Sequence, residues 1–202
     1  MDLKKLFMIC LSQPSKLPIE MEGLKIELKT VIEGAIFIAI SSALFDALIK
    51  LFFIPSAEIS ETIKISGFLL TINPLSMFVI QFIIIIGIML TILFFGNFSD
   101  QKVSIEELGK NVLIICLVSF ILNFILASFL LVSNLLFFYM NLLKSIWFVW
   151  ALSSVVAILY KYKSVILTAL LGTVTAFFIM GFLFMLFVSL AQLISGGNTS
   201  NV

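Results

Sequence analysis

Five long apolar stretches separated by short polar segments organise this chain, at about 31–53, 74–95, 105–132, 145–160 and 164–194. A hydrocarbon core of about 30 Å is crossed by roughly 20 apolar residues at about 1.5 Å of helix each, so these stretches are read as membrane spans. The punctuation between them agrees. Pro55 ends the first span, Asn73 is placed to cap the second, and Pro74 sits at a first helical position, where its missing N–H costs nothing. Gly96-Asn97-Phe98-Ser99-Asp100 is a turn signal, and Ser104 is followed three residues later by Glu107, the spacing of a capping box that starts the third helix. Ser133-Asn134 marks the end of that helix, and 135–143 reads as interfacial through Tyr139, with Asn141 and Lys144 at its edge. Only Lys161-Tyr162-Lys163 separates the last two spans, which predicts an antiparallel hairpin. The fifth span, at about 46 Å, is expected to tilt, to kink near Gly172 or Gly181, or to protrude.

Ahead of the first span, Leu3, Leu6, Phe7, Cys10 and Leu11 fall on one helical face, with Lys4 and Lys5 beside it. This pattern predicts a short interfacial helix on the membrane surface, ended by Pro14 and Pro18. The six-residue run Leu6 to Leu11 is too short for the apolar region of a cleaved signal. The mixed charges of 20–29 form a solvated face leading helically into the first span. The expected organisation is an amphipathic lead-in at 1–30, a transmembrane domain at 31–194 and a short external tail at 195–202. The fold class is all-α, a polytopic membrane helical bundle of five transmembrane helices with a short N-terminal interfacial helix.

Composition narrows the chemistry. With 62% hydrophobic and 11% charged residues and a mean hydropathy of +1.26, a water-soluble fold is excluded. A net charge of +1 leaves no basic face for nucleic acid. The chain has no His, and Cys10 and Cys116 are too few for a thiolate metal site. Glu106 and Glu107 already have a role in a helix start. No nucleophile with a base can be assembled, so no catalytic, cofactor-binding or metal-binding residues are assigned and no enzymatic activity is expected. Nine lysines flank the spans on the N-terminal side against three, Lys50, Lys64 and Lys144, on the other, which places the N-terminus in the cytoplasm and the C-terminus outside. Trp147, Tyr160 and Tyr162 suit the aromatic belts.

Within the spans, Ala35, Ala39, Ala43 and Ala47 repeat every four residues, a small-residue ladder against which another helix can pack closely. Gly172 and Ala176 make a second such pair. Asp46 lies beside the ladder one turn from Lys50, and an intramembrane charge marks a candidate site. The alternative is that Lys50 reaches the headgroups from the helix end and Asp46 neutralises it there. Gln81 and Asn123 either bond between helices or line a substrate path, and interhelical bonding is the simpler reading. Cys10 is also a weak candidate acceptor for a palmitoyl chain.

Taken in order, the short lead-in LFMICLSQPSK, the charged approach to the first span, the segment FFGNFSDQKVSIEELGKNVLIICLVSF and the KYK hairpin resemble the Yip1-domain family of five-span membrane proteins. The resemblance runs over nearly the whole chain and rests on hydrophobic patterning and a few loop residues. It implies an N-in, C-out protein of the shorter prokaryotic type, in a prokaryotic cytoplasmic membrane rather than a eukaryotic endomembrane. It also implies a non-enzymatic role organising membranes or partner proteins, as in the trafficking role of eukaryotic members with Rab-type GTPases. This chain lacks the long N-terminal region of those members, which weakens any expectation of GTPase binding. Two alternatives stay open: a small transporter, channel or permease subunit in which Asp46, Gln81 and Asn123 converge on an aqueous path, and an accessory subunit of a larger membrane complex. The expected partners are membrane lipids and either a membrane protein or a second copy of the chain.

Overall fold

The computed structural model describes residues 3–53, 64–65, 68–69, 74–96, 98–99 and 101–196. Seven α-helices carry most of them: α1 Leu3–Ser12, α2 Leu17–Glu20, α3 Leu28–Phe53, α4 Pro74–Gly96, α5 Ile105–Ala127, α6 Asn134–Leu159 and α7 Val165–Gly196. Among the described residues five helices, α3 to α7, are long and apolar enough to cross a membrane, as the hydrophobic pattern requires. The chain is therefore an all-α integral membrane protein. Asn73, most of the connection at 56–73 and the tail at 197–202 lie outside the described residues. Within that connection Lys64–Ile65 and Phe68–Leu69 form a minimal antiparallel ladder, Lys64 opposite Leu69 and Ile65 opposite Phe68.

The spans close into a ring in which α3 packs on α4, α4 on α7, α7 on α6, α6 on α5, and α5 on α3. Neighbouring spans joined by short turns run antiparallel, so the starts of α3, α5 and α7 and the ends of α4 and α6 share one end, here called basal. The opposite end is distal. Side chains set the helix boundaries. Ser104 is extended (φ −71°, ψ 153°) and its Oγ accepts from Glu107 N at 3.1 Å, as the capping-box spacing predicts. Ser133, also extended, accepts from Leu136 N at 3.5 Å and so starts α6 immediately after a 3-10 turn at Ser128–Leu131.

This corrects one boundary. The fourth span begins at Asn134 rather than Ser145, so 135–143 is helix within the span and not an interfacial connection. The reason is that Asn141 and Lys144 find partners inside the protein: Asn141 Nδ2 donates to Phe137 O at 3.1 Å, and Lys144 Nζ donates to Asn123. Neither needs headgroup water. The fifth span is one unbroken helix of 32 residues, about 48 Å long, running through Gly172 and Gly181.

The N-terminal segment is built into the bundle. Helix α1 forms as predicted, but its apolar stripe is turned onto the protein: Leu6 and Cys10 are buried, with Phe7 and Leu11 packed on the core. A 3-10 turn at Pro14–Lys16 folds the chain back into α2, and Leu17 and Met21 are fully buried. Helix α1 packs on α5, while the turn and α2 pack on α6. Two polar contacts fasten this arrangement. Trp147 Nε1 donates to Leu11 O at 3.3 Å, and the buried Lys110 donates to Met21 O at 2.9 Å and Leu24 O at 3.3 Å, in the turn that follows α2. The Lys5–Glu20 ion pair, 2.8 Å long and exposed, adds little.

Close approach of backbones holds α3 against α5. A Cβ on Gly109 would lie 2.5 Å from Val31 Cγ1, and one on Gly34 would lie 2.9 Å from Leu113 Cδ1. Gly109→Ala should lower stability by about 1–3 kcal/mol, read as a lower melting temperature in detergent, with Val31→Ala in the same chain restoring most of the loss. Lys110→Met removes charge-assisted bonds of about 1.5–3 kcal/mol in all. Limited proteolysis should then cut within 13–27 at least roughly tenfold faster while the spans stay intact.

Candidate functional site

Each of four spans places one polar side chain at a similar depth. Asp46 is seven residues before the end of α3 and Gln81 seven after the start of α4, about 10 Å from the distal end in both cases. Asn123 stands eight residues before Leu131, and Lys144 ten after the start of α6, about 12 and 15 Å from that end. The side chains meet. Gln81 Nε2 donates to Asp46 Oδ2 at 3.5 Å, Lys144 Nζ donates to Asn123 Oδ1, and the Asp46 carboxylate acts electrostatically on the Lys144 ammonium. All four are half-buried. Phe45 and Phe124, the sequence neighbours of Asp46 and Asn123, pack edge-on or tilted with Phe120, ring centroids 4.1 to 6.3 Å apart, so α3 and α5 also meet through aromatic surface at this level.

Three of these residues stand out in the sequence as isolated polar positions. Lys144 does not, because beside Tyr139 and Asn141 its place in the sequence is that of the interfacial end of a connection. Its signal was the apolar continuity of 135–159, within which Lys144 is the only charged residue. The side chain of Lys50 lies outside the described residues, so the expected Asp46–Lys50 pair is not described. What the four groups can do follows from their chemistry. A carboxylate paired with one amide ties α3 to α4 and an ammonium paired with another ties α5 to α6, and together they form the kind of constellation that passes a cation or proton.

The small-residue ladder is used inside the chain. Ala35 and Ala39 are fully buried and Ala43 is 2% exposed, so this stripe packs α3 onto its own neighbours and offers no free face at those positions. Gly172 and Ala176 differ. A Cβ on Gly172 would meet nothing within 4 Å, and both residues line a groove of about 190 Å³ between α4, α6 and α7. Thr91, Thr168 and Thr173 also line it, but their hydroxyls bond to Gly87 O, Ser164 O and Ala169 O on their own helices, leaving the groove apolar in character. Cys10 is wholly buried and its thiol is pushed up to about 12 by that burial, so it is neither exposed nor ionised for acylation.

Compared with known proteins, the chain matches no family model, no curated protein and no solved structure.

Pairing across helices makes a measurable claim. In a double-mutant cycle on Asp46→Asn and Lys144→Met, unfolding in detergent should show a coupling energy of about 1 kcal/mol, the combined loss being smaller than the sum of the single losses. Strict additivity would mean that the two groups do not interact.

Proposed function

We propose that this chain is a non-enzymatic, Yip1-like membrane protein, N-in and C-out, that organises membranes or partner proteins through the faces of its helices. The observation that carries this reading is the open groove at Gly172 and Ala176. Small residues four apart admit a second backbone, and here, unlike at Ala35 and Ala39, the space in front of them is empty. The order of spans and turns resembles that family's, and the gathering of the lysine-bearing turns at the basal end is in keeping with a cytoplasmic N-terminus. The polar side chains at depth bond to one another, which suits a scaffold whose interior is closed by its own groups.

The test is copurification in mild detergent from the native membrane. The wild-type chain should bring down a stoichiometric membrane-protein partner or a second copy of itself. Gly172→Leu with Ala176→Leu should reduce that recovery at least roughly tenfold at unchanged chain level, since the new side chains enter open space rather than the core. Recovery equal to wild type removes the groove from the interaction.

A second reading, a small permease or channel subunit, is favoured by the meeting of Asp46, Gln81, Asn123 and Lys144 from four helices. It requires that purified chain in liposomes pass monovalent cations or protons and that Asp46→Asn abolish the flux. Liposomes no leakier than protein-free ones would eliminate it.

A further inference from the structure

At the basal end, the turn from α6 to α7 is locked against the segment that follows α4. The Tyr160 ring lies on Gly96, where a Cβ would stand 2.4 Å from its Cε1. Ser99 Oγ donates to Tyr160 O at 2.9 Å and accepts from Gln101 N at 3.1 Å. Helix α6 is closed by Lys161 in the left-handed region (φ 55°), with Tyr162 N donating to Ala157 O at 2.8 Å. A lysine rather than a glycine holds this conformation, which costs about 1 kcal/mol, and three contacts over-determine it. The consequence is a fixed cavity of about 760 Å³ lined by Lys102, Lys161 and Lys163 together with Ser99, Tyr160 and Tyr162. Its described lining includes no acid, and in sequence the segments 97–103 and 160–164 contribute three lysines against Asp100 alone. Burial pushes the Tyr160 phenol above its ordinary range, with Tyr162 adding to the effect, and burial raises Tyr162 as well. Neither phenol adds negative charge at neutral pH.

This cationic cavity lies next to an apolar one. A second cavity, of about 490 Å³, shares Phe98, Tyr162 and Lys163 with the first and continues between α4 and α7 past Phe94 and Leu171 to Thr175. From Lys163 to Thr175 is about 18 Å of rise, close to the depth of one leaflet's hydrocarbon. Thr168 and Thr175 along this path bond back to Ser164 O and Leu171 O, so their hydroxyls are already satisfied and the track stays apolar. A cationic chamber at the membrane surface, adjoining an apolar track one leaflet deep along Phe98, Tyr162 and Lys163, suits the two ends of one amphiphile.

We propose that the chain binds an anionic phospholipid here, its phosphate held by Lys102, Lys161 and Lys163 and an acyl chain lying in the groove between α4 and α7. A free inorganic or sugar phosphate would use only the first cavity, and a zwitterionic lipid only the second with full strength. This site touches the groove at Gly172 only at Thr168 and does not rest on the scaffold reading.

The test is native mass spectrometry of the full chain in neutral detergent, titrated with phosphatidylglycerol or phosphatidylcholine of identical acyl chains. Wild type should take one phosphatidylglycerol in clear preference to phosphatidylcholine. Lys102→Gln, Lys161→Gln and Lys163→Gln together should weaken phosphatidylglycerol binding roughly a hundredfold, at roughly fivefold per lysine, without changing phosphatidylcholine binding. Leu171→Trp with Thr175→Trp, which fills the track and spares the lysines, should also weaken it. Lys25→Gln with Lys29→Gln, elsewhere on the basal end, should have no effect. If the triple variant fails to fold, Lys163→Gln and Lys163→Glu should give a graded loss. Equal binding of the two lipids overturns the proposal, as does an equal loss in the Lys25 and Lys29 variant, which would mark a general surface charge. Glycerol phosphate binding as tightly as the lipid would identify a soluble anion as the occupant and overturn it too.

Discussion

The rest of this structure depends on how closely α3 can approach α5. Between helices in lipid there is no gain from hiding apolar surface from water, because the lipid tails are as apolar as the side chains. What remains is contact at short range, and Gly34, Gly109, Ala35 and Ala39 supply it by removing the atoms that would hold the backbones apart. Val31 then sits where a Cβ of residue 109 would stand. With this crossing set, Leu108 and Val112 on α5 and Val31 on α3 become fully buried, and Lys110 is brought to the carbonyls of Met21 and Leu24. The docking of the N-terminal segment is therefore a consequence of the crossing as well as of its own apolar stripe.

Polar groups obey the same economy of partners. The Asp46–Gln81 and Lys144–Asn123 contacts place each polar group at depth against another, since an unmatched one in hydrocarbon is costly. Serines and threonines in the spans bond back to carbonyls of their own helix: Thr91, Ser145, Thr168, Thr173 and Thr175 all do so four residues back. Among the described residues, Asn111 Oδ1 is the one buried side-chain oxygen or nitrogen with no hydrogen-bond partner; its amide nitrogen donates to Glu107 O at 2.8 Å.

Much of this was legible in the sequence, and the gaps have physical causes. The five spans follow from apolar length, and Ser104 from the geometry of a cap, both local properties. The alanine ladder was legible as a packing stripe, but periodicity alone does not say whether the facing helix belongs to the same chain. Lys144 and Asn141 have an interfacial pattern in the sequence because polar residues near a span end ordinarily seek water; only the fold shows that Asn123 on α5 meets Lys144. The amphipathic stripe of α1 has the same ambiguity. A helix that can lie on lipid can lie equally well on α5, and the choice is made by Trp147 and Lys110, which stand 136 and 86 to 89 residues away from their partners. The basal cavity was hidden for the same reason, since Lys102 and Lys163 are distant in sequence.

The ring is not uniform, and the difference concerns α7. In the hydrophobic windows of α3 to α6, 28 to 39% of residues are buried, against 6% in that of α7. Helix α7 reaches the rest of the bundle through α4 and α6, and both cavities along it, at Gly172 and at Leu171, lie in those seams. A helix with few buried side chains and gaps on both sides separates at lower free energy than the α3–α5 crossing, where a single methyl group is too much. Its basal end is the exception, because the left-handed Lys161, the Tyr160–Gly96 contact and the Ser99 hydrogen bond hold that turn in place. A helix fixed at one end and loosely seated along its length offers its seam to whatever fills it, whether lipid or another helix, while the compact α3–α5 side keeps the fold.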